Sequence, residues 1–409
     1  MSATRKKMIS LIYNGVEAYQ DLEPYVDQIT YTDAVDQSDT ISFSLSDRDI
    51  KWREAWIPAK GDMLIPAITL ENWNYETEKM TIQCGAFVVD DFEFSSPPDK
   101  GSINGVSSPV ETSFKETENT KTWEAATVQL IAAEIAGKYG LTLVYEAGDI
   151  PIAKTEQDKK TDSDFLRSVC EKYGLGMKVY HNRLVIWDYP AYFAKTPVLT
   201  ITPDMCSKWS YRSTMQGTYT GARVSYKNPN TKKLIDIIVG TEERLYRSNQ
   251  RADNEAEARR IGEAAVRNAN RKGTTMRLLL PPKFSLMAAA TVQIVGFGRI
   301  DGIYFIEKVV HQISRKSYEM QVNLSRILQE KKEAEQEVTA LFQGTTSYVV
   351  QKGDNLWDLS QKFYGTPARC TDLYRANQAT IEAEAQKHGK VSSSGGYWIW
   401  QGTQLQIPT

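Results

Sequence analysis

The stretch Tyr348-Val-Val-Gln-Lys-Gly353-Asp354-Asn355-Leu356-Trp357 gives the sharpest local reading in the chain. Residues 348–350 are strand formers, and Gly353-Asp354 supplies a turn. Asp354 or Asn355 then caps a helix that turns Leu356, Leu359 and Phe363 inward at helical spacing. Thr366-Pro367, an N-cap followed by a first-turn proline, opens a second helix through Leu373 and Ala376 to Asn377. Gly402-Thr-Gln-Leu405-Gln-Ile407-Pro408 closes the chain as an alternating strand. The expected order over 347–409 is β-α-α-β. Between Asn377 and that strand lie residues 378–399, with a candidate extra helix at 381–388 and a flexible Ser392-Ser-Ser-Gly-Gly396 run.

Working outward, residues 329–337 are charged helix formers, and with Gly344-Thr-Thr-Ser347 they read as a connector over 327–346. Residues 1–118 are β-rich. Short alternating runs at 8–13, 26–31, 40–45, 63–65 and 80–94 are separated by turns such as Ser95-Ser-Pro97-Pro98-Asp99. Over 119–199 the period changes. Thr122 is read as the cap of a helix with Val128, Ile131, Ile135 and Tyr139 on one face, followed by a strand at 141–145. Thr161-Asp-Ser-Asp164 resembles a capping box and opens a second helix ending at Gly174. Strands at 177–180 and 183–187 flank His181-Asn182, giving an α+β domain. From 200 to 326 the β pattern returns at 221–226, 234–239, 274–280, 291–295, 302–310 and 321–324. An Ala-rich helix over 255–270 interrupts it, with Ala258, Ile261, Ala265 and Ala269 on one stripe. Many short strands favour a barrel or sandwich for both β segments.

Composition narrows the function. The 409 residues carry a net charge of −2, which gives no global pull toward nucleic acid or an acidic membrane. No run is long enough to span a bilayer, and three histidines leave little material for a His/Cys metal site. Cys84 and Cys170 lie within apolar patterns and read as buried thiols, in keeping with a reducing cytoplasm. His311 sits in a candidate strand, where a structural hydrogen bond is the simpler role than a general base. Asp91 and Glu93 share one strand face, with Asp90 on the other, and read as a solvated or lumen-facing edge. Arg259-Arg260 and Arg267–Lys272 form a basic helix face, read as solvated or paired with Glu255, Glu257 and Glu263. Gly296-Phe-Gly298 lacks the GK[ST] of a phosphate loop, and no GxSxG, HExxH or Cys/His arrangement appears. No enzyme activity and no cofactor are expected.

The C-terminal residues resemble the LysM family through Tyr348-x-Val350-x-x-Gly353-Asp354-x-Leu356-Trp357, Tyr374-x-x-Asn377 and Gly402-x-x-Leu405-x-Ile407-Pro408. The resemblance implies a shallow groove for N-acetylglucosamine-containing glycans, with Gly353, Asp354, Asn355 and Leu356 as one wall. Asn377 and Trp400 are carried over to the other side. The stretch 378–399 is longer than the family's usual connection. Its Tyr397 and Trp398, with Trp400, are open to stacking on a sugar or to packing within the module.

Residues 1–326 look like phage tail hub proteins of the late-control-protein and prophage-particle type. The matching stretches are Gly302-Ile-Tyr304-Phe-Ile306-Glu-Lys-Val309-Val-His311-Gln-Ile313 and Tyr318-Glu-Met-Gln-Val322-Asn-Leu324. Trp123-Glu-Ala and Thr161-Asp-Ser-Asp-Phe165-Leu166 before Tyr173-Gly174 support them. That resemblance implies two similar β-barrel tube domains, 1–118 and 200–326, flanking a peripheral α+β domain. It also implies a homotrimer that joins a sixfold tail tube to a threefold spike within the baseplate of a contractile phage tail or headless bacteriocin-like particle, assembled in the host cytoplasm. Expected partners are tube, spike and other baseplate proteins, with peptidoglycan as a second option for the LysM module; no membrane and no sequence-specific nucleic acid are expected. The alternative from another class is a peptidoglycan-binding cell-wall targeting protein.

Overall fold

A computed structural model of the protein describes residues 4–73, 76–107, 113–180, 182–227, 232–327 and 345–408. The chain divides into two compact units, Met1–Ile327 and Leu328–Thr409. The expected connector at 329–337, Gly344 of its hinge, and His181 of the expected 181–182 turn lie outside the described residues.

The first unit is mainly β. Strands β1 (Lys6–Tyr13) and β2 (Val16–Glu17) form a hairpin whose turn residues Asn14 and Gly15 both have positive φ, 45° and 86°, as a two-residue hairpin loop requires. β3 (Val26–Ala34), β4 (Thr40–Ser46), β5 (Met63–Glu71), β6 (Lys79–Gln83), β7 (Phe87–Ser95) and β8 (Lys100–Val106) complete the first β segment. β8 is absent from the sequence expectations, because Gly101 and Gly105 interrupt its apolar pattern. Close packing explains Gly105: a Cβ there would stand 3.1 Å from both Ile41 Cγ2 and Phe87 Cβ.

The mixed segment holds β9 (Glu118–Thr127), β10 (Thr142–Glu146), β11 (Pro151–Thr161), β12 (Leu175–Tyr180) and β13 (Arg183–Asp188). Thr122 lies within β9, paired to Glu156 of β11, and caps nothing. The cap of the Val128–Lys138 helix is Thr127, whose hydroxyl accepts from Leu130 N–H at 3.2 Å. Cross-strand pairing competes with the local capping signal over 118–127 and wins. Thr161 does cap the Asp162–Tyr173 helix, accepting from Asp164 N–H at 3.1 Å, and Gly174 ends it at φ 73°. Phe114, Trp123, Ile131, Phe165, Leu166 and Ile186 belong to one buried cluster.

The last β segment contains β14 (Thr200–Ile201), β15 (Lys208–Ser213), β16 (Gly221–Lys227), β17 (Leu234–Gly240), β18 (Leu245–Ser248), β19 (Thr274–Leu280), β20 (Thr291–Ile294), β21 (Gly302–Ser314) and β22 (Tyr318–Arg326). The Glu255–Arg271 helix is capped by Asn254, which accepts from Glu257 N–H at 2.8 Å. Of its basic face, Arg259 and Lys272 are exposed as expected, while Arg260 reaches Asp188 and the remaining two arginines turn inward. Arg267, half-buried, donates to Gly174 O, and Arg271 is buried against the ring of Tyr189, ion-paired to Asp36 and Glu307. Burial lowers the affinity of the Arg267 guanidinium for its proton, whereas the surrounding Tyr189, Glu307 and Asp36 raise that of Arg271 despite burial. This helix thus holds the three segments of the first unit together.

The two β segments do not close as separate barrels among the described residues. They share one 14-stranded sheet, in the order β15-β19-β22-β21-β3-β4-β8-β7-β5-β1-β2, with β14, β20 and β6 off that path. The join is the antiparallel pair β21–β3, running from Lys308↔Ala34 to Ser314↔Gln28. Beside it, Lys178 of β12, half-buried, is ion-paired to the buried Asp33 and Asp39. Burial pushes the Asp39 carboxyl well up, against the pull of Lys178 and helped by Asp33.

Within that sheet a five-strand antiparallel pattern occurs twice. The order β3-β4-β8-β7-β5 corresponds to β15-β19-β22-β21-β20. Even the irregularities correspond: the β7–β8 register shifts between Val89 and Asp91, and the β21–β22 register between Ile306 and Lys308. Asn104 opposite Asp91 matches Asn323 opposite Lys308, and Tyr31 opposite Ile41 matches Tyr211 opposite Met276.

The second unit runs β23 (Thr345–Val349), the Leu356–Tyr364 helix, the Cys370–Lys387 helix and β24 (Gln404–Pro408), with β23 antiparallel to β24. The second helix does not stop at Asn377. Residues 378–387 continue it as one element, because Ile381 and Ala385 extend the buried stripe begun by Leu373 and Asn377.

Candidate functional site

The loop from Val350 to Leu356 is built by its own polar side chains. Gly353 sits at φ 96° with open space where a Cβ would be. Asp354 Oδ2 accepts from Tyr348 Oη and from Gln351 N–H, both at 2.8 Å. Asn355 caps the following helix, accepting from Asp358 N–H at 2.9 Å while its Nδ2 donates to Asp358 Oδ2 at 2.6 Å. Leu356 is buried in the module's core. Of the four residues expected to form a groove wall, Asp354 and Asn355 thus also shape the loop through their side chains, and Leu356 anchors it to the core.

Asn377 is buried and acts as a substitute strand. Its Nδ2 donates to Gln406 O at 2.7 Å and to Leu373 O at 2.9 Å, while its Oδ1 accepts from Gln406 N–H at 2.7 Å. The amide covers the edge of β24 that β23 leaves free. Trp400 stacks on His388, with centroids 5.0 Å apart and planes parallel.

The long stretch after the second helix folds back onto the first loop. Glu382 accepts from Tyr374 Oη at 2.7 Å, from Ser393 N–H at 3.0 Å and from the Ser393 hydroxyl. Those bonds hold its carboxyl down to about 2. Gly396, at φ 83°, lies so close to the first loop that a Cβ would meet Leu356 Cδ1 at 2.3 Å and Tyr374 Cδ2 at 2.7 Å. The neighbours of this contact, Trp357 on one side and Tyr397 and Trp398 on the other, are exposed at 59%, 73% and 46%. Tyr397 and Trp398 meet edge to face at 5.0 Å, with Lys390 over the Trp398 ring. Trp357 belongs to the LysM-like motif, yet the sequence alone assigns it no role. Its place at the first exposed position of the helix, directly after the inward Leu356, is the signal that marks it.

The other sequence candidates do not converge. His311 is buried, stacked on Tyr31 at 5.6 Å and hydrogen-bonded through Nδ1 to Tyr318 Oη at 2.9 Å. Burial pushes its pKa down to about 4. Asp91 and Glu93 are exposed on β7, and Asp91 accepts from Asn104 Nδ2 at 2.7 Å. Cys84 and Cys170 are free and buried, and burial pushes both thiols well up. Among the described residues, no group of three His, Cys, Asp or Glu is placed to hold a metal ion, and no helix is long and apolar enough to cross a membrane.

No family model matches the chain. An uncharacterized protein of Bacillus subtilis (strain 168), YqbP, is 34% identical over 62 residues, which are 15% of this chain and 27% of that protein. The match thus spans about a quarter of that relative's length. Solved structures cover far more. A tail protein from Neisseria meningitidis MC58 superposes with a TM-score of 0.60 at 12% identity, over 78% of this chain and 96% of that one. The 43 kDa tail protein of prophage MuSo2 from Shewanella oneidensis gives 0.59 at 13% identity, over 78% and 98%. The fold is that of these tail proteins. At such identity the likeness speaks for architecture, and the exposed aromatic surface of the second unit has to be read from its own geometry.

Proposed function

We propose that this protein is a structural hub of a contractile phage tail or tail-like injection particle, forming a trimeric ring that joins the sixfold tube to the threefold spike. One observation carries the reading: a single chain holds the same five-strand pattern twice, in one sheet. Three such chains present six equivalent segments to a sixfold neighbour and only three to a threefold one, which is the symmetry match a hub has to make. The tail-protein fold supports the same reading. The protein acts by geometry, without catalysis or a cofactor, as a component of the particle. The measurement is mass photometry of the purified full chain. A trimer is expected, and a monomer persisting at micromolar concentration refutes the hub.

The second unit is a LysM module that docks either a baseplate neighbour or peptidoglycan. The peptidoglycan option, and with it the alternative of a cell-wall targeting protein, draws on Trp357, Tyr397 and Trp398, since exposed aromatic faces stack on sugar rings. Co-sedimentation with purified peptidoglycan tests it. Trp357→Ala and Tyr397→Ala are cleaner probes than Asp354→Ala or Asn355→Ala, whose side chains hold the loop itself. Binding that survives both aromatic substitutions places the sugar elsewhere, and no sedimentation leaves the protein-docking reading.

A further inference from the structure

The internal repeat points to the contact between copies of this chain, and this step rests on the ring reading above. The junction inside one chain is the edge-to-edge pair β21–β3. In the repeat, β21 corresponds to β7 and β3 to β15, and β7 and β15 each keep one edge without a strand partner among the described residues. Among the described residues β15 pairs only with β19, at the end of the sheet. β7 pairs with β5 only at Val88 and Phe87, so that Asp91–Ser95 have β8 on one side and, among the described residues, no strand on the other. The same division exists in β21, which pairs with β20 over Gly302–Phe305 and, beyond its register shift, with β3 over Lys308–Ser314. The half of β21 that β3 covers is thus the counterpart of the half of β7 that is bare.

We propose that β15 of one copy pairs antiparallel with the outer half of β7 of the next, repeating the β21–β3 junction between subunits. The repeat also fixes the register. Lys308 corresponds to Asp91 and His311 to Phe94, since Lys308 opposes Asn323 as Asp91 opposes Asn104. Tyr31 corresponds to Tyr211. His311 opposite Tyr31 and Val310 opposite Thr32 therefore translate into Phe94 opposite Tyr211 and Glu93 opposite Arg212 of the neighbouring copy.

The residues suit that register, although nothing in the correspondence required it. The Phe94–Tyr211 pair puts an aromatic couple where the single chain stacks His311 on Tyr31. Glu93 and Arg212 are both exposed and of opposite charge, and neither makes an ion pair among the described residues. The wider edges are complementary too, with Asp90, Asp91 and Glu93 on β7 and Lys208 and Arg212 on β15. Opposite charges directly across an antiparallel pair stabilise it, and like charges oppose it. The contact is head to tail, so it closes into a ring when the rotation per copy divides a full turn. It also removes two bare strand edges, which otherwise invite disordered aggregation.

Full-length chains carrying Glu93→Arg, Arg212→Glu or both test the proposal by mass photometry across a dilution series. Each single reversal is expected to raise the concentration at which trimers dissociate by roughly tenfold or more, and the double reversal to restore it. A further double variant, Glu93→Cys with Arg212→Cys, is expected to yield covalent dimers and trimers on oxidation, with neither single variant doing so. Circular dichroism of each variant separates loss of assembly from loss of fold. Wild-type trimers that tolerate both single reversals and give no covalent ladder overturn this interface while leaving the ring intact. A monomeric wild-type chain overturns the ring reading and the interface together.

Discussion

Replacing Asn377 by alanine isolates the contribution of one buried amide to the second unit. The side chain makes two hydrogen bonds to the backbone of Gln406 and one to Leu373 O. A net value near 1 kcal/mol per bond sets a floor of about 2 kcal/mol for the Gln406 pair, and leaving both groups buried and unsatisfied sets a ceiling of about 6 kcal/mol. Asn377 is buried but Gln406 is exposed and their two bonds are part-buried, so the lower part of that range applies, about 2–3 kcal/mol. A module of roughly 60 residues has about 3–9 kcal/mol in total. The substitution thus removes a large share of its stability, equivalent to a drop of roughly 10–20 °C in its melting temperature. Differential scanning calorimetry of the full chain is the assay, because the two compact units are expected to give two transitions. Only the transition of the second unit should move. Asn377→Asp should be comparably damaging, since it sets a carboxylate against two carbonyl oxygens. A shift under about 3 °C for Asn377→Ala refutes the view that this amide serves as the missing strand.

Other consequences are equally open to measurement. Lys178→Met leaves Asp33 and Asp39 buried without their counter-charge and is expected to destabilise the first unit by about 3–5 kcal/mol in urea denaturation; a loss below about 1 kcal/mol contradicts the ion-paired triad. His311 is held neutral to about pH 4 in the folded chain, whereas an unfolded histidine protonates near 6.5. Stability should therefore fall by up to roughly 1.4 kcal/mol per pH unit as pH drops from about 6.5 to about 4. His311→Phe should flatten that part of the pH profile, and an unchanged slope would assign it to other groups. Gly396→Ala forces a Cβ into Leu356 and Tyr374 at positive φ, and amide exchange across 390–400 should rise; wild-type protection there would mean that the loop does not rest on Leu356.

Much of the fold is legible where capping, glycine and apolar periodicity agree. Thr161 with Gly174 bounds one helix as the sequence implies, and the 255–270 stripe needs extension by a single residue. What escapes is pairing. β8, β9, β11 and β15 are strands because a neighbour takes their backbone groups, while their side chains are polar, small or exposed and carry little alternation. The repeat is equally hidden in the sequence. Each position of the pattern asks only for an apolar side chain on one face, so that Ile41 and Phe43 serve in one copy where Met276 and Leu278 serve in the other. In the second unit the motif residues are visible in the sequence, but their roles are not. Asp354, Asn355 and Asn377 are polar in the string and hydrogen-bond within the module in the fold, while Trp357, Tyr397 and Trp398 are exposed.

The β21–β3 junction has a consequence for synthesis. Ile29 pairs with Ile313, so the N-terminal sheet leaves the ribosome long before the strand that covers its edge exists. At roughly 5–20 residues per second the wait is on the order of 15–60 s. Throughout it β3 is an open template for any passing strand, including the β3 of another nascent chain on the same message. Translation speed over the intervening residues, and whatever chaperone shields them, therefore bears on how much of the protein matures and how much clumps.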